Sequence, residues 1–436
     1  MPSRDNNDTC ATRYREMSEI SHDAIITICR NNVPNWEQYS LSDFRVEDVL
    51  GGLTNSNFCI SLHTKHTNAT LLHGTRKAMG AAQHQEEINS CPSITRDSVF
   101  FRQYGAASDL LFSRELEIQI VKTLSKLGYC EFIAGDGDWR IEHWFAGSRV
   151  LRRDELPGFI EATANLIGAF HSLSLLNDFT KFPSDPAALI RLRSWGLEAL
   201  QIMKYAEFQR VSKLHGSSMP TRLLLLAEGL HGLLKPRFFP IFDFPDLELE
   251  MNWLLSILQR FASSGQEEYA IVFCHNDIQE NNILLKQDGD LELIDLEYGH
   301  FNFALYDVAN YFLEFTIDYL QPLHKPYFLI ENSSYPSLES MRLFFVTYLK
   351  RLERITSTTL SEEVDTLVLS YSRAAKVLGL VSHLQWGFWS FLKIDAEDGH
   401  VLEEDESFDH VVYAAARFSS YFKLKEELLA SGHLQI

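Results

Sequence analysis

The chain has 436 residues, 45% of them hydrophobic, and a formal net charge of −20. That length suits two lobes or domains better than one small domain, and the hydrophobic fraction is ordinary for a soluble globular protein. The negative charge argues against nucleic acid or an anionic membrane as a major partner, since both attract basic surfaces; it is compatible with a small cationic substrate, although solubility is the blander explanation.

Residues 1–45 read as a polar extension with one or two short helices. Their start, MPSRDNNDTCATRYREM, has no apolar core of the secretory kind. The six cysteines have no paired or zinc-like spacing, so reduced thiols and a cytoplasmic location are expected. No uninterrupted apolar run approaches the ~20 residues that span a bilayer. Strand-like segments follow at 46–51, 58–62, 99–104 and 139–145 and define a β-rich lobe at 46–145. Within it, residues 64–97 are rich in His, Thr, Asn, Gln and Ala and read as a surface insertion. A helical period runs from 113 to 127. Residues 146–436 are mostly helical: 156–262 with turn breaks at 181–186, 216–220 and 236–245, then 338–355, 362–394 and 408–429. The acidic stretch 395–406 reads as a solvated loop. A strand-rich first third and a helix-rich remainder make an α+β chain.

One stretch interrupts the helical part. It reads His275-Asn276-Asp277-Ile278-Gln279-Glu280-Asn281-Asn282, then an apolar run, Asp288-Gly289, and a second apolar run ending at Asp295. Asp288-Gly289 suits a two-residue type I′ turn. Counting outward pairs Gln287 with Asp290 and brings Asn282 opposite Asp295, where Cα atoms lie about 4.5–5.5 Å apart. An amide and a carboxylate at one point are hard oxygen ligands of the kind magnesium takes together with nucleotide phosphates. Asp277 is left to accept a proton from a substrate hydroxyl, as the catalytic-loop aspartate does in phosphoryl transfer. Asp, Asn and Gly are common in turns, so each alone means little; the spacing of all three between apolar strands is what carries the reading.

Upstream, Asn55, Ser56 and Asn57 follow a Gly51-Gly52 pair between two strands and offer short donors to phosphate oxygens. This is no P-loop, and a plain hairpin turn explains the segment equally well. Arg102 lies among apolar strand residues and needs a partner. Glu115, at the start of the next helix, is the expected one, in the manner of the kinase pairing of a strand cation with a helix glutamate; a surface salt bridge is the competing account. The 141–145 segment, with Glu142 and His143, is expected as the crossover beside adenine, on position alone.

His275-Asn276-Asp277, Gln279-Glu280, Asn282, Ile294-Asp295-Leu296-Glu297-Tyr298, Tyr306-Asp307-Val308-Ala309-Asn310 and Glu314 closely resemble the choline and ethanolamine kinases. The resemblance extends upstream to Arg102-Gln103-Tyr104-Gly105 and Arg114-Glu115 and downstream to Trp386-Gly387-Phe388-Trp389 and 413–418. It implies a protein-kinase-like two-lobed fold, with nucleotide bound in 46–145 and by Gln279, and transfer of the ATP γ-phosphate to choline, the first step of the CDP-choline route to phosphatidylcholine. It makes Asp277 the base, with Asn282 and Asp295 as magnesium ligands. It places the ammonium group against Tyr298, Glu314, Tyr319, Trp386, Trp389 and Tyr413; a trimethylammonium is held by aromatic faces at roughly 0.5–2 kcal/mol each. It is compatible with a homodimer. Gln279-Glu280 is closer to the choline pattern than to the ethanolamine one. Asn281 stands where glycine is usual, a position at which asparagine would tolerate a positive φ better than most residues. His275 is expected to orient the loop. The alternatives are an ethanolamine or dual-specificity kinase, an aminoglycoside-phosphotransferase-like enzyme, and a non-catalytic pseudokinase; a protein kinase is disfavoured by the lack of HRD, DFG and APE segments.

Overall fold

The computed structural model describes residues 20–49, 55–63, 97–104, 114–214, 244–324, 326–396 and 408–434. The expected insertion at 64–97, the acidic segment 395–406 and the turn breaks at 216–220 and 236–245 lie outside these residues except at their ends. The chain forms two compact units, residues 1–146 and 147–436.

The first unit is built on an antiparallel sheet of five strands: β1 (Phe44–Asp48), β2 (Asn55–Leu62), β3 (Ser98–Tyr104), β4 (Phe132–Gly135) and β5 (Trp139–His143), in the order β1-β2-β3-β5-β4. Helix α1 (His22–Asn32) starts at Ser21, whose hydroxyl accepts the Ala24 N–H, the usual work of an N-cap. Its buried Ile25, Ile26 and Cys29 join Trp36, Phe44, Ile60, Val99, Phe101 and Ile141 in one core. The amino-terminal helix is therefore part of this unit's core. Helix α2 (Arg114–Lys126) buries Ile120, Val121 and Leu124.

The second unit carries three short sheets: β6 (Arg149–Val150) with β8 (Ile283–Leu285) and β9 (Leu291–Leu293), β7 (Ile271–Cys274) with β10 (His300–Phe303), and β11 (Ile317–Asp318) with β12 (Leu329–Ile330). Its helices are α3 (Ile160–His171), α4 (Ala187–Leu214), α5 (Phe244–Ala262), α6 (Ala304–Glu314), α7 (Leu338–Arg351), α8 (Ser361–Ala396) and α9 (His410–Ala430). Every residue of α6 is buried, as befits a helix packed on all sides. Its three polar residues Asp307, Asn310 and Glu314, at i, i+3 and i+7, share one face and must find partners. The long helices α8 and α9 pack against each other. They approach closely because Gly387 has no side chain: a Cβ there would run into the ring of Phe418.

The central hairpin differs from the expected register by one residue. The ladder pairs Ile283 with Leu293, Leu284 with Glu292 and Leu285 with Leu291. The Lys286 N–H donates to Asp290 O at 2.9 Å, and the Gly289 N–H to Lys286 O at 3.0 Å. The loop therefore holds three residues, Gln287, Asp288 and Gly289, with Gly289 in the left-handed region at φ 91°, the three-residue alternative to the type I′ turn. Asn282 consequently lies across from Ile294, whose N–H donates to Asn282 O at 3.0 Å. Asp295 comes one position later and is itself left-handed, at φ 62°.

Candidate active site

Strand β7 delivers the chain into His275-Asn276-Asp277, and the loop is fixed by groups distant in sequence. The Asp307 carboxylate accepts the backbone N–H of His275 at 2.8 Å and of Asn276 at 2.7 Å. His171 Nε2 lies 3.1 Å from the same carboxylate, and its Nδ1 lies 2.8 Å from the Tyr348 hydroxyl. Asn276 is left-handed at φ 68°. Its side-chain amide donates to the carbonyls of Cys274, Tyr298 and His300 and accepts from Asn302 Nδ2, so the unusual backbone is held by four bonds.

His275 is buried and hydrogen-bonded at both ring nitrogens. Nε2 donates to Ile294 O at 2.8 Å, leaving Nδ1 to accept the Asp277 N–H at 3.3 Å. Burial lowers its pKa, so the ring is a neutral strut between the loop and β9, in agreement with the orienting role expected of it. His171, Cys274 and Asp307 bring three metal-ligand types together. Their atoms are engaged with one another, with Tyr348 and with the carbonyls of Asn302 and Phe303, and burial keeps the Cys274 thiol protonated. The cluster is a structural knot.

Asp277 is half-buried. Asn282 Nδ2 donates to its backbone O at 2.8 Å and to Oδ2 at 2.9 Å, and Gln279 Nε2 reaches Oδ2 at 3.3 Å. Its pKa is raised well above the carboxylate range, by burial first and then by the charges of Glu314 and Asp295. The one-residue shift in the hairpin thus still leaves Asn282 and Asp295 gathered about Asp277. Asn281 lies exposed in the helical turn Glu280–Asn282 and is not among the residues with positive φ. The position makes no demand for glycine.

The aromatic residues expected around an ammonium form two groups. Tyr298 meets Trp386 edge to face at 5.4 Å between centroids, and Trp386 meets Trp389 at 5.5 Å; the Trp389 indole N–H donates to the Tyr298 hydroxyl at 3.1 Å. Tyr319 and Tyr413 lie 6.5 Å apart with hydroxyls at 3.3 Å, and Phe408 packs on both. Glu314 lies with the second group, which Arg417 links to Trp386 through Ser382 and Asn310. Arg417 Nη1 stands 3.9 Å from Glu314 Oε1 and 3.4 Å from the Tyr413 hydroxyl. A second buried cation was not expected here: Arg191 donates to Tyr298 O at 2.7 Å and lies over the Tyr298 ring at 5.4 Å.

Two buried carboxyls of this region are held above the ordinary range. Glu280 is raised by burial and by the charge of Glu314; Glu314 is raised by burial, against the pull of Arg417. A folded-state pKa above the unfolded value contributes stability that is complete below the ordinary carboxylate range and is lost as pH rises through the raised value. Melting temperature should therefore fall as pH rises past neutrality, and Glu280→Gln should flatten that slope. An unaltered slope in Glu280→Gln would locate the pH response elsewhere.

In the first unit, Asn55, Ser56 and Asn57 open β2 and lie opposite Tyr104, Gln103 and Arg102. Arg102 is buried, Glu142 pairs with Phe100, and His143 with Val99. The Arg102–Glu115 pair does not form. Glu115 points to solvent, and the buried carboxylate of α2 is Glu117, two residues on, which pairs with Arg140 of β5 and with Arg114. The helical period turns Glu115 outward and Glu117 inward, a choice that neighbouring glutamates leave open in the sequence.

Sequence reasoning names Asp307 and Asn310 within the family motif, and Arg417 within 413–418, but gives them no role; it misses His171, Asn302, Ser382 and Arg191 altogether. Polar side chains in otherwise apolar helices were the available signal, most plainly the i, i+3, i+7 face of α6.

A profile of the choline/ethanolamine kinase family matches residues 46–422. The rat (Rattus norvegicus) choline/ethanolamine kinase is 32% identical, over 95% of this chain and 90% of its own. Among solved structures, a choline kinase from Cryptosporidium parvum Iowa II superposes with a TM-score of 0.64 at 26% identity, covering 95% of this chain and 98% of its own. An ethanolamine kinase from Plasmodium vivax does so with a TM-score of 0.61 at 17% identity, covering 92% and 88%. The fold is the protein-kinase-like one these proteins share. Among the described residues, no helix is long and apolar enough to cross a membrane.

Proposed function

The chain belongs to the choline/ethanolamine kinase family, and we propose that it transfers the γ-phosphate of ATP to the hydroxyl of choline, giving phosphocholine and ADP for the CDP-choline route. The observation that carries this reading is a continuous hydrogen-bonded path in the second unit. Asn310 Nδ2 donates to Ile278 O, next to Asp277, while Asn310 Oδ1 accepts the Trp386 indole N–H at 2.9 Å. A candidate base and an aromatic, carboxylate-bearing box for a cation are thus fixed to one another.

In this reading Asp277 Oδ2 takes the hydroxyl proton as the oxygen attacks the γ-phosphorus. Asn282 and Asp295 suit magnesium: the Asn282 amide nitrogen is committed to Asp277, which leaves its carbonyl oxygen beside a carboxylate as hard donors. A cation held there would neutralise phosphate charge. Asn55, Ser56, Asn57, Arg102, Glu142, His143 and Gln279 are the nucleotide side. Tyr298, Tyr319, Trp386, Trp389 and Tyr413 hold the ammonium by their faces, and Glu314 supplies the countercharge.

Choline is expected as the better substrate, because aromatic faces satisfy a group that has no N–H to donate. Ethanolamine is the second reading: Glu314 Oε2 is buried without a hydrogen-bond partner and would accept from a primary ammonium, so some ethanolamine turnover is expected. An ADP-release assay with choline, with ethanolamine and with neither tests both readings. A higher kcat/KM for ethanolamine would reverse the preference, and acceptor-independent ADP release alone would remove the function.

A further inference from the structure

A buried arginine beside a buried glutamate ordinarily closes into a short, two-pronged pair, because each charge is costly when left alone. Arg417 and Glu314 are both buried, at 0% and 3% exposure, yet their nearest atoms stand 3.9 Å apart. The guanidinium is held elsewhere. Its Nη2 donates to Ser382 Oγ at 2.7 Å, and the Ser382 hydroxyl in turn donates to Asn310 Oδ1 at 2.8 Å. Asn310 is itself fixed by Trp386 and by Ile278 O, so the serine cannot follow the arginine toward the carboxylate. Ser382, Trp386 and Trp389, at i, i+4 and i+7 of α8, share one helix face. What the arrangement leaves is a carboxylate with Oε1 facing a cation at a distance and Oε2 without a partner.

We propose that Ser382 is a specificity-determining positioning residue: its hydroxyl restrains Arg417 from closing on Glu314 and so keeps that carboxylate available to the ammonium group of the amino alcohol. This rests on the amino-alcohol kinase reading above. Without the hydroxyl, Arg417 Nη2 loses its acceptor and Glu314 is the nearest carboxylate to replace it. A neutralised Glu314 attracts the ammonium less. The loss falls harder on ethanolamine, whose N–H groups need an oxygen acceptor, than on choline, which keeps its aromatic contacts. The tether includes none of the residues proposed for the nucleotide, so the ATP KM is expected to stay unchanged.

Ser382→Ala and Ser382→Thr separate the tether from mere packing. In Ser382→Ala the KM for ethanolamine is expected to rise about tenfold, the scale of one hydrogen bond to a charged group, and that for choline by less, with kcat and the ATP KM near wild type. Ser382→Thr, which keeps the hydroxyl, is expected to restore both amino-alcohol constants. Binding of choline and ethanolamine is read in parallel from indole fluorescence without ATP. Unchanged amino-alcohol constants in Ser382→Ala would overturn the proposal. So would a joint loss of kcat and ATP affinity that Ser382→Thr fails to restore. If wild type binds neither amino alcohol, the functional reading falls, and this inference falls with it.

Discussion

Asp277→Asn is expected to lower kcat by about 10²–10⁴-fold, the span of a lost general base, while leaving nucleotide affinity and folding near wild type. The substitution keeps the size of the side chain and removes its basic lone pair. An amide turned with its oxygen at the Oδ2 position still accepts from Asn282 Nδ2 and Gln279 Nε2, so the variant keeps both contacts and loses only the basicity. The wild-type pH profile offers a second check. Burial, then Glu314 and Asp295, raise the Asp277 pKa, and the protonated form cannot act as a base. The rate should therefore fall as pH is lowered, with its acid limb above the ordinary carboxylate range, and Asp277→Asn should lose that limb. Near-wild-type turnover in the purified variant would remove the assignment.

How much of this was legible in the letters depends on the distance over which a role is decided. The spacing Asp277…Asn282…Asp295 is local; Asn282 bonds to Asp277, and Asp295 is near enough for its charge to act on Asp277. The hairpin register differs by one from the expected one because Asp288-Gly289 fits either a two-residue turn or the last two places of a three-residue loop. The sequence alone does not say which; Lys286 and Asp290 settle it through their backbone bond. Glu115 and Glu117 differ only in which side of α2 faces Arg140, a tertiary fact. Arg417 and Ser382 become a pair only when α8 and α9 pack together, and that packing depends on the missing side chain of Gly387.

Asp307, a motif residue to which the sequence assigns no role, has the longest reach, and its removal is expected to cost the most stability. It is fully buried, and its two oxygens take the N–H groups of His275 and Asn276 and a ring nitrogen of His171. Asp307→Ala strands all three in a dry site. Breaking a buried charged contact in this way costs about 3–5 kcal/mol, a large part of the roughly 5–15 kcal/mol that holds a domain folded. Asp307→Asn keeps one acceptor oxygen and turns an NH2 toward the other donor, so its loss should be intermediate. Because Asn276 is held at φ 68° partly by this carboxylate, loosening it also releases Asp277 from its place, and activity should fall together with stability. That coupling distinguishes the two aspartates. Urea unfolding of Asp277→Asn should match wild type while its turnover is lost, whereas Asp307→Asn should show a lower midpoint and lower turnover together. A wild-type midpoint in Asp307→Asn would mean that the loop is anchored by Asn276 and its four side-chain bonds alone.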